Sequence, residues 1–241
     1  MYITQDLNLK KGCEFDWEKY FAQLGKSSVF NQSDIQKMIE KVRKHLTENT
    51  MQLTFSLTEV IRDIFSDFKM KEKPKILELG AGTGFLTRCL IEQYEGSGVL
   101  VDNNENSFKS YSSLNDKCSG PIKYIVQDIF DLNLEERYDI ICSFGLIEHF
   151  KDKSEVINIH KKFLKPDGYN LIIVPFDSIL TRIFFDVHLE LNLGYRELLS
   201  ERDLKSILIK QKLEILNVKI SRGYAYDFIA ALCIPVNSKL D

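Results

Sequence analysis

The segment Glu78-Leu79-Gly80-Ala81-Gly82-Thr83-Gly84 follows the apolar run Ile76-Leu77 and leads into the helical pattern that opens at Phe85. Glycines at 80, 82 and 84 allow a tight turn and let backbone approach a ligand closely. The helix N-terminus that follows adds unpaired N–H groups to the same spot. A dinucleotide fingerprint, G-x-G-x-x-G, would need a third glycine at position 85, which is Phe85. The spacing is instead G-x-G-x-G, with an acid, Glu78, two places ahead of it. A second acid, Asp102, ends the next apolar run, Val99-Leu100-Val101.

Glu78 to Gly84 resembles the first motif of the class I S-adenosylmethionine-dependent methyltransferases, written E-x-G-x-G-x-G. The likeness continues in order through residues 74–234. Gln127-Asp128-Ile129 follows a third strand pattern, and Tyr138-Asp139-Ile140-Ile141-Cys142-Ser143 looks like the fourth. Leu146-Ile147-Glu148-His149 is similar to the family's "LEH" element, Leu164-Lys165-Pro166-Asp167-Gly168 to its "LKPGG" turn, and Gly194-Tyr195 to a "GY" element of small-molecule members. Motifs in register are stronger evidence than any one alone.

The resemblance implies S-adenosyl-L-methionine as cofactor, with S-adenosyl-L-homocysteine as product. Implied cofactor contacts are Glu78, Gly80, Ala81, Gly82, Gly84, Asp102, Asn103, Asp128, Ile129 and Ser143. Glu78 would orient the ammonium, Asp102 the ribose and Asp128 the adenine amino group, with Ile129 packing on the ring. Asp131 competes with Asp128 and is the better-placed cap of a short helix. Asp102 could instead cap the Asn-rich stretch at 103–106. An aromatic near the N-terminus, Tyr20 or Trp17, would cover the cofactor or else pack in a core. His149 would be either a packing residue or the base for a protonated acceptor.

Departures from related patterns narrow the chemistry. Metal-binding relatives carry E-x-x-E-H, and the earlier glutamate position here is Gly145, so no metal is expected. The N-P-P-Y signature of nucleic-acid amino methylation has no counterpart at Ser143-Phe144-Gly145-Leu146, and the double-glutamate loop of arginine methyltransferases is missing. His160 shares an apolar helix face with Val156 and Phe163 and reads as a core histidine, His45 as solvated, and His188 as part of a long insertion.

These residues need a scaffold. From Lys75 onward the rhythm is β-α-β, with strands expected at 75–79, 98–102, 122–126, 138–143 and 169–174 and helices at 84–94, 105–115 and 153–164. Short apolar runs between helices indicate a parallel sheet covered on both faces. A helix over 201–211 and strands 213–220 and 226–234, joined near Arg222-Gly223, add an antiparallel hairpin. The fold class is α/β: a doubly wound, seven-stranded, mostly parallel sheet with an N-terminal helical cap. Residues 1–72 form that cap, with apolar stripes Ile35–Leu46 and Leu57–Phe68, and 73–241 the methyltransferase domain. The stretch 176–195, rich in Phe, Leu and Ile, is longer than a plain connection and reads as a lid-like insertion beside a substrate site.

Composition agrees. The 241 residues are 44 % hydrophobic and 28 % charged, ordinary globular values that exclude a disordered chain or a coiled coil. With 32 Lys+Arg against 35 Asp+Glu the net charge is −3, so no nucleic-acid footprint is expected. No apolar run is long enough to span a membrane, and the polar start, Met1 to Lys10, has no signal-peptide core. Five scattered cysteines predict reduced thiols and a cytoplasmic setting. The expected partner is a small-molecule methyl acceptor. The rival functions are an inactive methyltransferase-fold subunit and an RNA- or protein-directed methyltransferase.

Overall fold

The structure, a computed structural model, describes residues 2–3, 16, 18–19, 56–113, 118–221 and 226–236. Cys13, Trp17, Tyr20, His45 and the stripe Ile35–Leu46 lie outside the described residues. The described elements are β1 (Tyr2–Ile3), α1 (Ser56–Ile64), β2 (Lys75–Leu79), α2 (Phe85–Tyr94), β3 (Ser97–Asp102), α3 (Glu105–Ser112), β4 (Ile122–Val126), β5 (Tyr138–Phe144), α4 (Lys153–Phe163), β6 (Leu164–Pro175), α5 (Ile179–Val187), β7 (Glu197–Leu198), α6 (Glu201–Lys210), β8 (Leu213–Ser221) and β9 (Phe228–Pro235). No helix among the described residues is long and apolar enough to cross a membrane.

Seven strands form one sheet in the order β4-β3-β2-β5-β6-β9-β8. The pairs from β4 to β6 are parallel, and only β9 runs against both its neighbours. The chain builds β2, β3 and β4 toward one edge, then returns to place β5 on the other side of β2. At that reversal the crossovers diverge and leave a crevice at the carboxyl ends of the strands. The loops after β2 and β5 flank it.

Alternation along the strands feeds two cores. Ile76, Ile140, Cys142, Leu171 and Ile173 point to one face, beneath α1 and α2. Leu77, Ile141, Ile172 and Val174 point to the other, beneath α4 and α6. The buried Val60, Ile61, Ile64 and Phe65 therefore place α1 in the sheet's helical layer. Asn217 Nδ2 donates to Ile64 O at 3.2 Å, and the Phe65 ring meets Tyr94 and Tyr169 edge-on, each at 5.9 Å. A boundary drawn at 72 thus cuts through a single hydrophobic layer, because an apolar stripe this wide must be buried against a partner.

Two further differences concern local geometry. Leu164–Gly168, expected as a turn, lies within β6. Tyr138 pairs with Leu164 but Ile140 with Tyr169, so the extra residues are absorbed as an irregularity in the ladder. A Cβ at Gly168 would stand 2.8 Å from Leu164 Cδ1 and 3.0 Å from Asp139 O, which is why glycine occupies the bulge. Just past the insertion, β7 pairs antiparallel with β1 through Tyr2↔Leu198 and Ile3↔Glu197.

Phe65→Ala should cost about 3–5 kcal/mol in urea unfolding if α1 belongs to the sheet's core. A loss below about 1 kcal/mol would remove it from that core.

Candidate active site

The crevice is built from the glycine loop outward. Gly80, Gly82 and Gly84 all have positive φ, at 63°, 54° and 72°. Sterics also demand glycine at two of them. A Cβ on Gly80 would stand 2.8 Å from Leu146 Cδ1, and one on Gly84 would overlap Leu100 Cδ1. The first contact matters for the site, since it packs the loop after β2 against the loop after β5. The Ala81 N–H donates to Val101 O at 3.0 Å and the Gly84 N–H to Ala81 O at 2.7 Å.

Two buried carboxylates brace this region, Asp102 at the loop and Glu78 at the helix that follows it. Asp102 Oδ2 accepts the Gly82 N–H at 2.8 Å and its Oδ1 the Asn104 N–H at 2.9 Å. Burial raises its pKa, against the pull of those backbone donors. Glu78 is 2 % exposed, and its Oε2 accepts the Thr87 N–H at 2.9 Å in the first turn of α2. Burial lifts this carboxyl to about 7, the Thr87 donors oppose the rise, and the Asp102 charge adds to it. From β4, the Tyr124 hydroxyl donates to Gly82 O at 2.8 Å. Its ring packs on Tyr111 and Phe108 at 4.9 and 5.2 Å. The sequence reading missed Tyr124; its place on the strand beside Asp102 was the available signal.

Other expected contacts fall differently. The cap of α3 is Asn104, whose side chain accepts from Asn106 and Ser107, so Asp102 is not the helix cap. Asp128, not Asp131, caps the short 3-10 turn Ile129–Asp131, with Oδ1 accepting the Phe130 N–H at 2.9 Å. That turn sends Ile129 into the core and leaves Phe130 46 % exposed. Asn103 is exposed at the end of β3. The Ser143 hydroxyl faces α4, 3.1 Å from His160 Nε2, rather than the glycine loop. His160 Nδ1 donates to Val156 O at 2.9 Å, so Nε2 accepts from Ser143. Burial lowers this core histidine to about 4.

After β5 the chain makes a tight 3-10 turn, Ile147–His149, that buries Glu148 and His149 to 1 % and 4 % exposure. His149 Nδ1 donates to Tyr195 O at 2.9 Å, and its Nε2 lies 3.7 Å from Glu148 Oε1. Burial, with Arg196 and Lys153 nearby, holds His149 far below the usual histidine range. Glu148 is raised to about 7, chiefly by burial, and its Oε2 has no hydrogen-bond partner. Around them Lys153 Nζ meets Glu197 Oε2 at 2.6 Å and Phe150 O at 2.8 Å, while Arg196 donates to Asn192 Oδ1 at 3.0 Å over the Phe185 ring. Among the described residues no cluster of His, Cys, Asp and Glu could hold a metal ion.

The insertion 176–195 leaves β6 at this same edge. Ser178 caps α5. Phe184 and Phe185 turn inward onto Leu191, Leu198 and Tyr226, so they build core rather than an open lid. Ile179, Ile183 and Val187 stand 78 %, 53 % and 69 % exposed. Arg182 forms a two-pronged ion pair with Asp177 at 2.6 and 2.8 Å. His188 packs on Phe184 at 4.6 Å.

A family model described as a methyltransferase domain matches residues 52–218. Among curated proteins, the chain is 28 % identical over 128 residues to a malonyl-[acyl-carrier protein] O-methyltransferase of Calditerrivibrio nitroreducens, covering 53 % of this chain and 44 % of that one. A protein of the same name from Acetivibrio thermocellus is 24 % identical over 132 residues, covering 55 % and 45 %. The matched segments thus span less than half the length of these relatives. Among solved structures, the methyltransferase bound to the Trm112 activator of Haloferax volcanii superposes with a TM-score of 0.65 at 12 % identity, over 91 % of this chain and 99 % of that one. The fold is shared at that level.

Buried acids and buried histidines give opposite pH slopes here. Glu78 keeps its proton in the native state up to about 7 but loses it near 4.5 when unfolded, so its contribution falls as pH rises between those values. His160 stays neutral down to about 4 while its unfolded form protonates near 6.5, so its contribution rises over an overlapping window. Glu78→Gln removes one slope only. Its stability relative to the parent should climb from about pH 4.5 to about pH 7 in a urea-melt series. A constant difference across that window would show that Glu78 is ionised throughout.

Proposed function

The chain belongs to the methyltransferase-domain family, and from that premise we propose that it is an S-adenosylmethionine-dependent methyltransferase acting on a small, partly apolar acceptor. When bound, the cofactor supplies an electrophilic methyl group on a sulfonium. The chain's task is then to align the acceptor with that carbon and to keep water out.

The observation that carries this reading is the pair of buried carboxylates under the left-handed glycine loop. Asp102 puts negative charge, and Glu78 further acceptor capacity with a carboxyl that a bound cation would ionise, at one edge of the sheet. They suit a ligand with a cationic group and vicinal hydroxyls, which an adenosyl amino acid presents. Gly80, Ala81, Gly82 and Gly84 would pass backbone along it, with Asn103 and Asp128 flanking its nucleoside end. Ile129 and Ser143 are turned inward, so only their backbone would face it. Tyr124, which fixes the Gly82 carbonyl, would hold the loop in place.

On the acceptor side, the aliphatic face of α5 and the turn 145–149 flank the carboxyl ends of β5 and β6. An apolar wall with a few polar groups suits a small molecule better than a polymer. The named acceptor of the curated relatives is a malonyl group on a carrier protein, a carboxylate that would need no base.

Two outcomes test the reading. Gly82→Val adds a branched side chain at φ 54° and should weaken S-adenosylhomocysteine binding in calorimetry by orders of magnitude while the fold survives. Wild-type affinity in that variant would put the site elsewhere. Ile179→Glu combined with Ile183→Glu, on the exposed face of α5, should abolish labelled-methyl transfer yet leave S-adenosylhomocysteine binding within a few-fold. Retained transfer would mean that the acceptor enters by another route.

A further inference from the structure

A hydroxyl or amine acceptor must lose a proton as it gains a methyl group. The sequence points to His149 for that task, but in the folded chain both of its ring nitrogens face other groups. Nδ1 donates to the Tyr195 carbonyl at 2.9 Å, and Nε2 faces Glu148 Oε1 at 3.7 Å. Its neighbour has an oxygen to spare. Glu148 is 1 % exposed, and its Oε2 is buried with no partner in the protein. A buried carboxyl oxygen left unpaired is costly, and proteins retain such atoms where a ligand completes them.

The position is right as well. Glu148 sits in the turn that follows β5, beside the reversal of strand order. Leu146 of the same turn packs on Gly80 of the glycine loop. Gly145, at φ 71°, places no side chain over the carboxyl; even a Cβ there would stand 3.4 Å from Oε1.

We propose that Glu148 is the catalytic base of this protein: its Oε2 accepts the proton of an O–H or N–H acceptor during methyl transfer. The inference rests on the methyltransferase reading above. In the step, the acceptor's lone pair forms the new bond to the methyl carbon and the carbon–sulfur pair leaves with sulfur. The acceptor's O–H or N–H bond breaks, its electrons stay on the acceptor, and the proton goes to Glu148. The charged and titratable groups around this carboxyl are His149 on its own turn, Lys153 at the start of α4, and Arg196 and Glu197 leading into β7. Burial pushes this carboxyl up, its own backbone N–H and then Arg196 and Lys153 oppose the rise, and the group stands at about 7. A base titrating near the working pH combines a populated acceptor form with adequate proton affinity.

The test uses the full chain with radiolabelled S-adenosylmethionine and a deproteinised small-molecule cell extract as acceptor source. Glu148→Gln should lower label transfer about 100-fold or more, with S-adenosylhomocysteine affinity within a few-fold of the parent. Glu148→Asp should recover part of the rate. In the parent, transfer should fall below about pH 7 with single-proton steepness. An infrared difference spectrum taken across that pH should show a protonated-carboxyl band that is missing in Glu148→Gln. If Glu148→Gln transfers label at the parental rate, as an already ionised carboxylate acceptor would allow, the proposal is overturned. A parental profile with no acid limb near 7 overturns it too, even if the variant fails to fold. A parent that binds no S-adenosylhomocysteine would instead sink the methyltransferase reading beneath it.

Discussion

The Asp102 carboxylate joins two loops that have no covalent reason to meet. One oxygen takes the Gly82 N–H from the loop after β2, and the other takes the Asn104 N–H from the turn after β3. Hydrogen bonds from backbone N–H to a charged acceptor are stronger than neutral ones, and burial strengthens them further. The tie fixes the middle of the glycine loop, whose three glycines sit in a left-handed region that only glycine visits cheaply. Tyr124 holds the next peptide by donating to the Gly82 carbonyl. With Gly82 held at both its N–H and its C=O, the loop is preorganised, and little ordering cost is left for a ligand to meet.

The other wall of the crevice is held by different means. Its turn, 147–149, is tied to segment 192–198 by the His149–Tyr195 hydrogen bond and by the Lys153–Glu197 pair. Each member of that pair is about 5 % exposed on its side chain. A buried ion pair is weak evidence for stability, because desolvation cancels much of the attraction, but breaking one is expensive. Such a pair acts as a registry device: Lys153 opens α4, Glu197 belongs to β7, and only one alignment of the two satisfies both charges.

Legibility from sequence followed the range of the interactions. The glycine loop, the acid ending β3, the β-α-β rhythm and the terminal hairpin are written in neighbouring residues, and their places in the sheet match the reading. Ser143 illustrates the opposite case. Its motif position marks the end of β5, yet strand parity turns the hydroxyl toward His160, seventeen residues away, and no local signal reports that partner. Asp128 and Asp131 were separable only by the turn that forms between them. The stripe over 57–68 announced a buried face without saying which surface covers it, and Phe65 found the sheet. For Glu148 and His149, the motif gave the address but not the hydrogen bonds that decide which of them keeps a free atom.

The two walls are built alike from distant residues and differ in what closes them. The glycine-loop wall is tied by Asp102 to Gly82, twenty positions apart, by Tyr124 to Gly82, forty-two apart, and by Leu146 packed on Gly80. The opposite wall is assembled from residues about forty-five positions apart, His149 with Tyr195 and Lys153 with Glu197. It is closed by an insertion whose outer face carries Ile179, Ile183 and Val187 in solvent. Substitutions in α5 can reshape that face while Phe184 and Phe185 keep the segment anchored to Leu191, Leu198 and Tyr226. The physical reason is the division of the helix into an inner aromatic side that fixes its position and an outer aliphatic side that fixes nothing in the fold. Substitutions on the outer side cost little stability, whereas a change at Asp102 would loosen the glycine loop and one at Glu78 the first turn of α2.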